Sequence, residues 1–156
     1  MKKVPFKNYV CLIFIMAITV VITIYIASLY KESKRVETDF YKYANTISNK
    51  EFETYITEFP NSIIYIYDKY SNEYKEFESE LKDKIEELYL KNNFVYIDKR
   101  ELSKNFINTI KENYNVEINY SDKPIILILA DKEIINIIEI KETTKVDSIN
   151  LEVFEW

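Results

Sequence analysis

Residues 62–90 read SIIYIYDKYSNEYKEFESELKDKIEELYL, and the change of rhythm inside this stretch decides the fold. Ser62–Tyr67 is a β-branched and aromatic run, apolar on both faces. Such a strand wants cover on both sides, as a central strand of an α/β sheet has. Beyond Ser71 the period changes. Tyr74, Phe77, Leu81, Ile85 and Leu88 step by three and four, which predicts a helix from Asn72 to about Leu90 with one buried stripe. Ser71 is the expected N-cap. Glu76, Glu78, Glu80, Glu86 and Glu87 are expected on the solvated face of that helix, among lysines, rather than around a metal.

The alternation continues on both sides. Upstream, Ser48-Asn49-Lys50-Glu51 is a capping box, followed by Phe52, Tyr55 and Ile56 at helical spacing and a stop at Pro60-Asn61. Downstream, Asn92-Asn93 ends the long helix and Phe94–Asp98 is a second strand. A helix from about Glu101 to Tyr114 has Leu102, Phe106, Ile107, Ile110 and Tyr114 on one face. Ile125–Ala130 and about Glu133–Ile140 are two more strands, joined by so short a turn at Asp131-Lys132 that they form an antiparallel hairpin. Val146, Ile149, Leu151, Val153, Phe154 and Trp156 give the tail enough apolar surface to close the domain as a short helix or strand. A β-α-β unit followed by a hairpin predicts a mixed α/β sheet flanked by helices.

The segment Tyr9–Tyr30 carries no charge. About 20 apolar residues at roughly 1.5 Å each cross a hydrocarbon core of roughly 30 Å. A cleaved signal peptide would have an apolar stretch of about 7–15 residues and a small-residue cleavage site, and no A-x-A follows here. The expected division is a short basic N-terminus (1–8), a membrane helix (9–30), a polar stalk (31–47) and a domain (48–156). Lys2, Lys3 and Lys7 before the span are nearly balanced by Lys31, Lys34, Arg35 and Lys42 after it. A short basic segment before a first span favours a cytoplasmic N-terminus and an extracytoplasmic domain. The expected location is thus the cell membrane, with one pass.

Composition excludes much chemistry. The 156 residues contain no histidine, no glycine and one cysteine, Cys11, which lies in the apolar segment. Without histidine there is no Ser-His or Cys-His dyad. Without glycine there is no P-loop or dinucleotide fingerprint. One cysteine allows no internal disulfide, no C-x-x-C pair and no thiolate zinc site. Three of the 21 basic residues and none of the 26 acidic ones lie in the first 30, so the remainder has a net charge of −8. That charge repels phosphate backbones, and nucleic acid is not an expected partner. No cofactor, metal or catalytic residue is expected, and the chain is not expected to be an enzyme.

The element order and the stretch Tyr65–Glu78 resemble the thioredoxin-like fold. The nearest likeness is to the bacteriocin transport accessory proteins of low-GC Gram-positive bacteria. In that family a strand and loop lead into C-x-x-C at a helix start. The resemblance places Ser71 at the first cysteine and Tyr74 at the second, with Asn72 and Glu73 between them. It makes Lys123-Pro124 the cis-proline step before the next strand. It implies a peptide- or protein-binding groove formed by Tyr67, Tyr70, Tyr74, Lys123 and Ile125. The resemblance covers roughly residues 46–141 and departs from the family in three ways. Both redox cysteines are missing, Val116 to Pro124 is longer, and the hairpin turn lacks glycine. It implies a membrane-anchored, redox-inactive accessory protein that acts by contact, in export or maturation of a secreted peptide. The alternative is a structural or assembly subunit of a membrane or envelope complex, or a membrane-bound immunity protein.

Overall fold

The computed structural model describes residues 6–114 and 122–151. The chain divides into two units, Met1–Val36 and Glu37–Trp156.

The first unit contains one helix, α1 (Phe6–Ser33). Its 28 residues give a length of about 42 Å. It is apolar all round, and it is long and apolar enough to cross a membrane, a test that a signal sequence also passes. Its two threonines are internally satisfied, Thr19 Oγ1 donating to Ile15 O (2.9 Å) and Thr23 Oγ1 to Thr19 O (2.8 Å). In hydrocarbon those hydroxyls would otherwise go unpaired at a cost.

The second unit is a mixed five-stranded sheet between two helical layers. Its strands are β1 (Asn45–Thr46), β2 (Ser62–Tyr67), β3 (Phe94–Asp98), β4 (Ile125–Ala130) and β5 (Glu133–Glu139). They lie in the order β1-β3-β2-β4-β5. β2 and β1 run parallel to β3, while β4 is antiparallel to β2 and to β5. The helices are α2 (Asp39–Tyr43), α3 (Phe52–Glu58), α4 (Lys75–Glu87) and α5 (Lys104–Tyr114).

All six residues of β2 are buried, as a central strand requires. Its side chains alternate between two cores. Ile63, Tyr65 and Tyr67 point with Phe94, Tyr96, Ile126 and Ile128 toward α2, α4 and the tail, a largely aromatic layer. Ile64 and Ile66 point with Val95, Ile97, Leu127 and Leu129 toward α3 and α5, a largely aliphatic one. A slip of one residue would exchange the two sets, so the pattern fixes the register.

Three expectations change. Residues 37–47 are not stalk. Phe40 of α2 is buried against Tyr65 and Phe94 at ring distances of 5.3 and 5.7 Å, and β1 pairs with β3. The domain therefore begins at Glu37. The long helix begins at Lys75, not Asn72. The tail is a 3₁₀ turn, Val146–Ser148, that seals the aromatic layer with Val146, Ile149 and Leu151. Val153, Phe154 and Trp156 lie outside the described residues, as does the lengthened Val116–Ser121 segment.

The missing glycines leave a mark on the backbone. Tyr89 follows α4 in the left-handed region (φ 56°), and Asp131 and Lys132 form the hairpin turn at φ 50° and 71°. That turn is held by Asn61 Oδ1 and Pro60 O, which accept from Asp131 N and Lys132 N at 3.0 Å each. Tyr89 N donates to Glu86 O at 3.2 Å, but the residue itself is 90% exposed. A left-handed non-glycine residue costs about 1–2 kcal/mol. Part of the gain from glycine is returned as unfolded-chain entropy. Tyr89→Gly is expected to raise stability by about 1 kcal/mol in urea denaturation; a loss would refute this assignment of strain.

Candidate functional site

The loop Asp68–Tyr74 joins the carboxyl end of β2 to α4. It is tied down by its own polar groups. Asp68 Oδ1 accepts from Tyr70 N (3.0 Å), and Asp68 O accepts from Ser71 N (3.0 Å). Ser71 Oγ shares a 2.7 Å hydrogen bond with the Tyr67 hydroxyl and accepts a long one from Glu73 N (3.5 Å). Ser71 is thus a loop anchor and not the N-cap of α4, which starts behind Tyr74 without a side-chain cap. Asn72 and Glu73 are exposed.

The Ser71–Tyr67 contact does not activate the serine. Burial pushes the Tyr67 hydroxyl up to about 12, so it stays protonated near neutral pH and cannot act as a base there.

The residues of the expected groove separate. Tyr67 is 1% exposed and belongs to the aromatic core. Ile125 turns into the opposite, aliphatic core. Neither offers open surface, because strand alternation commits both to packing. Tyr70 and Tyr74 are half-buried, and Lys123 is exposed. Tyr70 lies under the Arg100 guanidinium, 4.2 Å from ring centroid to Cζ. Tyr74 packs edge-on against Tyr67 at 5.4 Å. Burial raises the Tyr74 hydroxyl pKa, and the Lys123 charge opposes that rise. The structure therefore brings Tyr74 and Lys123 into one neighbourhood and sets Tyr70 beside Arg100. The Lys123–Pro124 peptide is trans, since the described residues contain no cis bond. The expected cis-proline is corrected accordingly. Pro124 keeps a structural role, with its carbonyl accepting from Ile140 N at 2.9 Å.

Two carboxyl groups outside the expected site, Asp98 and Glu78, are buried. Asp98, 3% exposed, ends β3. It takes a forked contact from Arg100, with Nη2–Oδ2 at 2.7 Å and Nε–Oδ1 at 3.1 Å, and it also accepts Arg100 N at 3.1 Å. Lys69 Nζ stands 4.0 Å from the same carboxylate and Asp68 Oδ1 3.5 Å from Arg100 Nε. This network closes the carboxyl ends of the two parallel central strands.

Glu78 is the second. It is not on the solvated face of α4, being 2% exposed. Its Oε1 accepts from the Tyr65 hydroxyl at 3.1 Å, its only side-chain hydrogen bond among the described residues. Burial raises its pKa to about 7, and the Tyr65 bond only partly opposes this. The sequence did contain the signal: Tyr74, Glu78, Leu81, Ile85 and Leu88 step by 4, 3, 4 and 3, as good a stripe as one drawn through Phe77. Nearby, the Tyr96 hydroxyl is buried without a hydrogen-bond partner among the described residues. A cavity of about 250 Å³ opens beside Glu78, lined also by Thr38, Asp39, Phe40, Lys75 and Lys82.

Among the described residues no group of three or more Cys, Asp or Glu side chains is placed to hold a metal ion. No family model matches the chain, and no curated protein matches it.

Proposed function

We propose that this chain is a membrane-anchored, redox-inactive, thioredoxin-like accessory protein that works by binding an exported peptide or protein of the bacteriocin type. One observation carries the reading. Ser71–Tyr74 occupies the strand–loop–helix junction at the carboxyl end of central strand β2, where the resemblance assigns C-x-x-C, and it has no sulfur. The β-α-β unit, the terminal hairpin and helices on both sheet faces support the fold assignment. α1 supports the anchor by length and composition. With Tyr67 and Ile125 packed inside, the binding surface falls to Tyr70, Tyr74 and Lys123. The domain stands on the extracytoplasmic side.

A photo-crosslinking residue at position 70 or 74 of the full chain in membranes tests the surface. A labelled bacteriocin precursor is expected to crosslink there and not at position 111 on α5. No adduct at either position overturns the proposed surface. Vigorous insulin reduction by the Cys11→Ser chain would overturn the redox-inactive assignment.

A further inference from the structure

The strap that opens the domain, residues 37–46, lies over a buried carboxyl. Phe40 anchors it in the aromatic core. Thr38 N donates to Lys69 O at 2.8 Å, Thr38 Oγ1 caps α2 by accepting from Tyr41 N at 3.2 Å, and Asn45–Thr46 pairs with β3. Between α2 and α4 lies the cavity described above, and Glu78 lines it from the α4 side.

We propose that Glu78 is a proton-controlled latch for this strap: protonated, it is compatible with a closed strap, and ionised, it draws water into the cavity and loosens residues 38–46. A buried carboxylate with one hydroxyl donor is poorly solvated, whereas the neutral acid is tolerated there. The cheapest way to hydrate it is to widen the existing cavity on the side of the five-residue α2, which has little structure of its own. The sheet side cannot yield without breaking the central strands.

Charges of both signs line the cavity around Glu78. From α2 comes Asp39, which is exposed. From α4 come Lys75 and Lys82 at the cavity mouth; Lys82 Nζ is committed to the face of Tyr43 at 4.9 Å. From β2 and β3 come the hydroxyls of Tyr65, Tyr67 and Tyr96, which remain protonated as Glu78 titrates. The tail sets Lys145 and Asp147 against Glu80, Asp83, Lys84 and Glu87, away from Glu78. The latch is independent of what the domain binds.

Amide hydrogen exchange on the full chain in detergent micelles, corrected for the intrinsic pH dependence of exchange, tests the latch. Exchange at residues 38–46 is expected to quicken about tenfold from pH 6 to pH 8, the ratio that follows if the open strap restores an ordinary carboxyl. Amides of β2 and β4 should not follow. In Glu78→Gln the pH dependence should vanish. Its persistence in that variant, or a flat profile in the wild type, overturns the latch. Should the variant fold poorly, the ¹³C carboxyl titration of Glu78 in the wild type serves instead. A midpoint matching that of strap exchange supports the latch, and a mismatch refutes it.

Discussion

Arg100→Ala is expected to destabilise the domain by about 3 kcal/mol, because it strands the Asp98 carboxylate rather than because it removes a favourable surface contact. Asp98 is almost fully enclosed, and Arg100 gives it two side-chain N–H groups. Exposed pairs contribute about 0–1 kcal/mol, whereas removing one partner of a buried pair costs about 3–5. The lower end applies, since Lys69 remains 4.0 Å away and the Arg100 side chain is itself 29% accessible. Arg100→Lys should recover only part of the loss, because an ammonium cannot reproduce the fork. Urea denaturation of the two variants would measure both effects, and a loss under about 1 kcal/mol for the alanine would show that the pair behaves as a surface contact.

The second large effect is a pH dependence with an unusual sign for a carboxyl. Glu78 titrates at about 7 in the folded domain against 4.5 for the free side chain. Between those values the folded state holds a proton that the unfolded state has released. Stability from this group therefore falls as pH rises from about 4.5 to 7 and is flat beyond. At about 1.4 kcal/mol per unit the loss reaches about 3 kcal/mol, and strap opening would cap it. Glu78→Gln keeps an oxygen for Tyr65 and cannot ionise. Its unfolding midpoint should match the wild type near pH 4.5 and exceed it above pH 7. A Gln variant that is less stable than the wild type at pH 8 would overturn the assignment.

The strands were legible because their hydrophobicity is strong and local. Ser62–Tyr67, Phe94–Asp98 and Ile125–Ala130 have the residue limits that their β-branched runs predict. The two-residue β1 and the short α2 were not, since neither is long enough to show a period, and both are held by tertiary partners: Phe40 by the aromatic layer and β1 by β3. The start of α4 moved because the Ser71 hydroxyl has a better partner in Tyr67 than in a helix amide. The surface at Tyr70, Tyr74 and Lys123 was partly legible, but alternation along β2 and β4 removes Tyr67 and Ile125 from it. Glu78 was missed for the opposite reason. A charged residue beside other glutamates reads as solvent-facing until the stripe through Tyr74 and Leu81 is drawn across it.

The aromatic layer also gives the domain a built-in optical reporter. Tyr65 meets Tyr96 at 5.2 Å, Tyr67 at 6.3 Å and Phe40 at 5.3 Å, each at a steep angle. Tyrosines held rigidly in such asymmetric surroundings give near-ultraviolet circular dichroism that disappears when specific packing is lost, even where helices and strands survive. Because the strap's Phe40 and the hydroxyl that meets Glu78 both belong to this layer, the dichroism of the tyrosines reads the packing around the acid without any label.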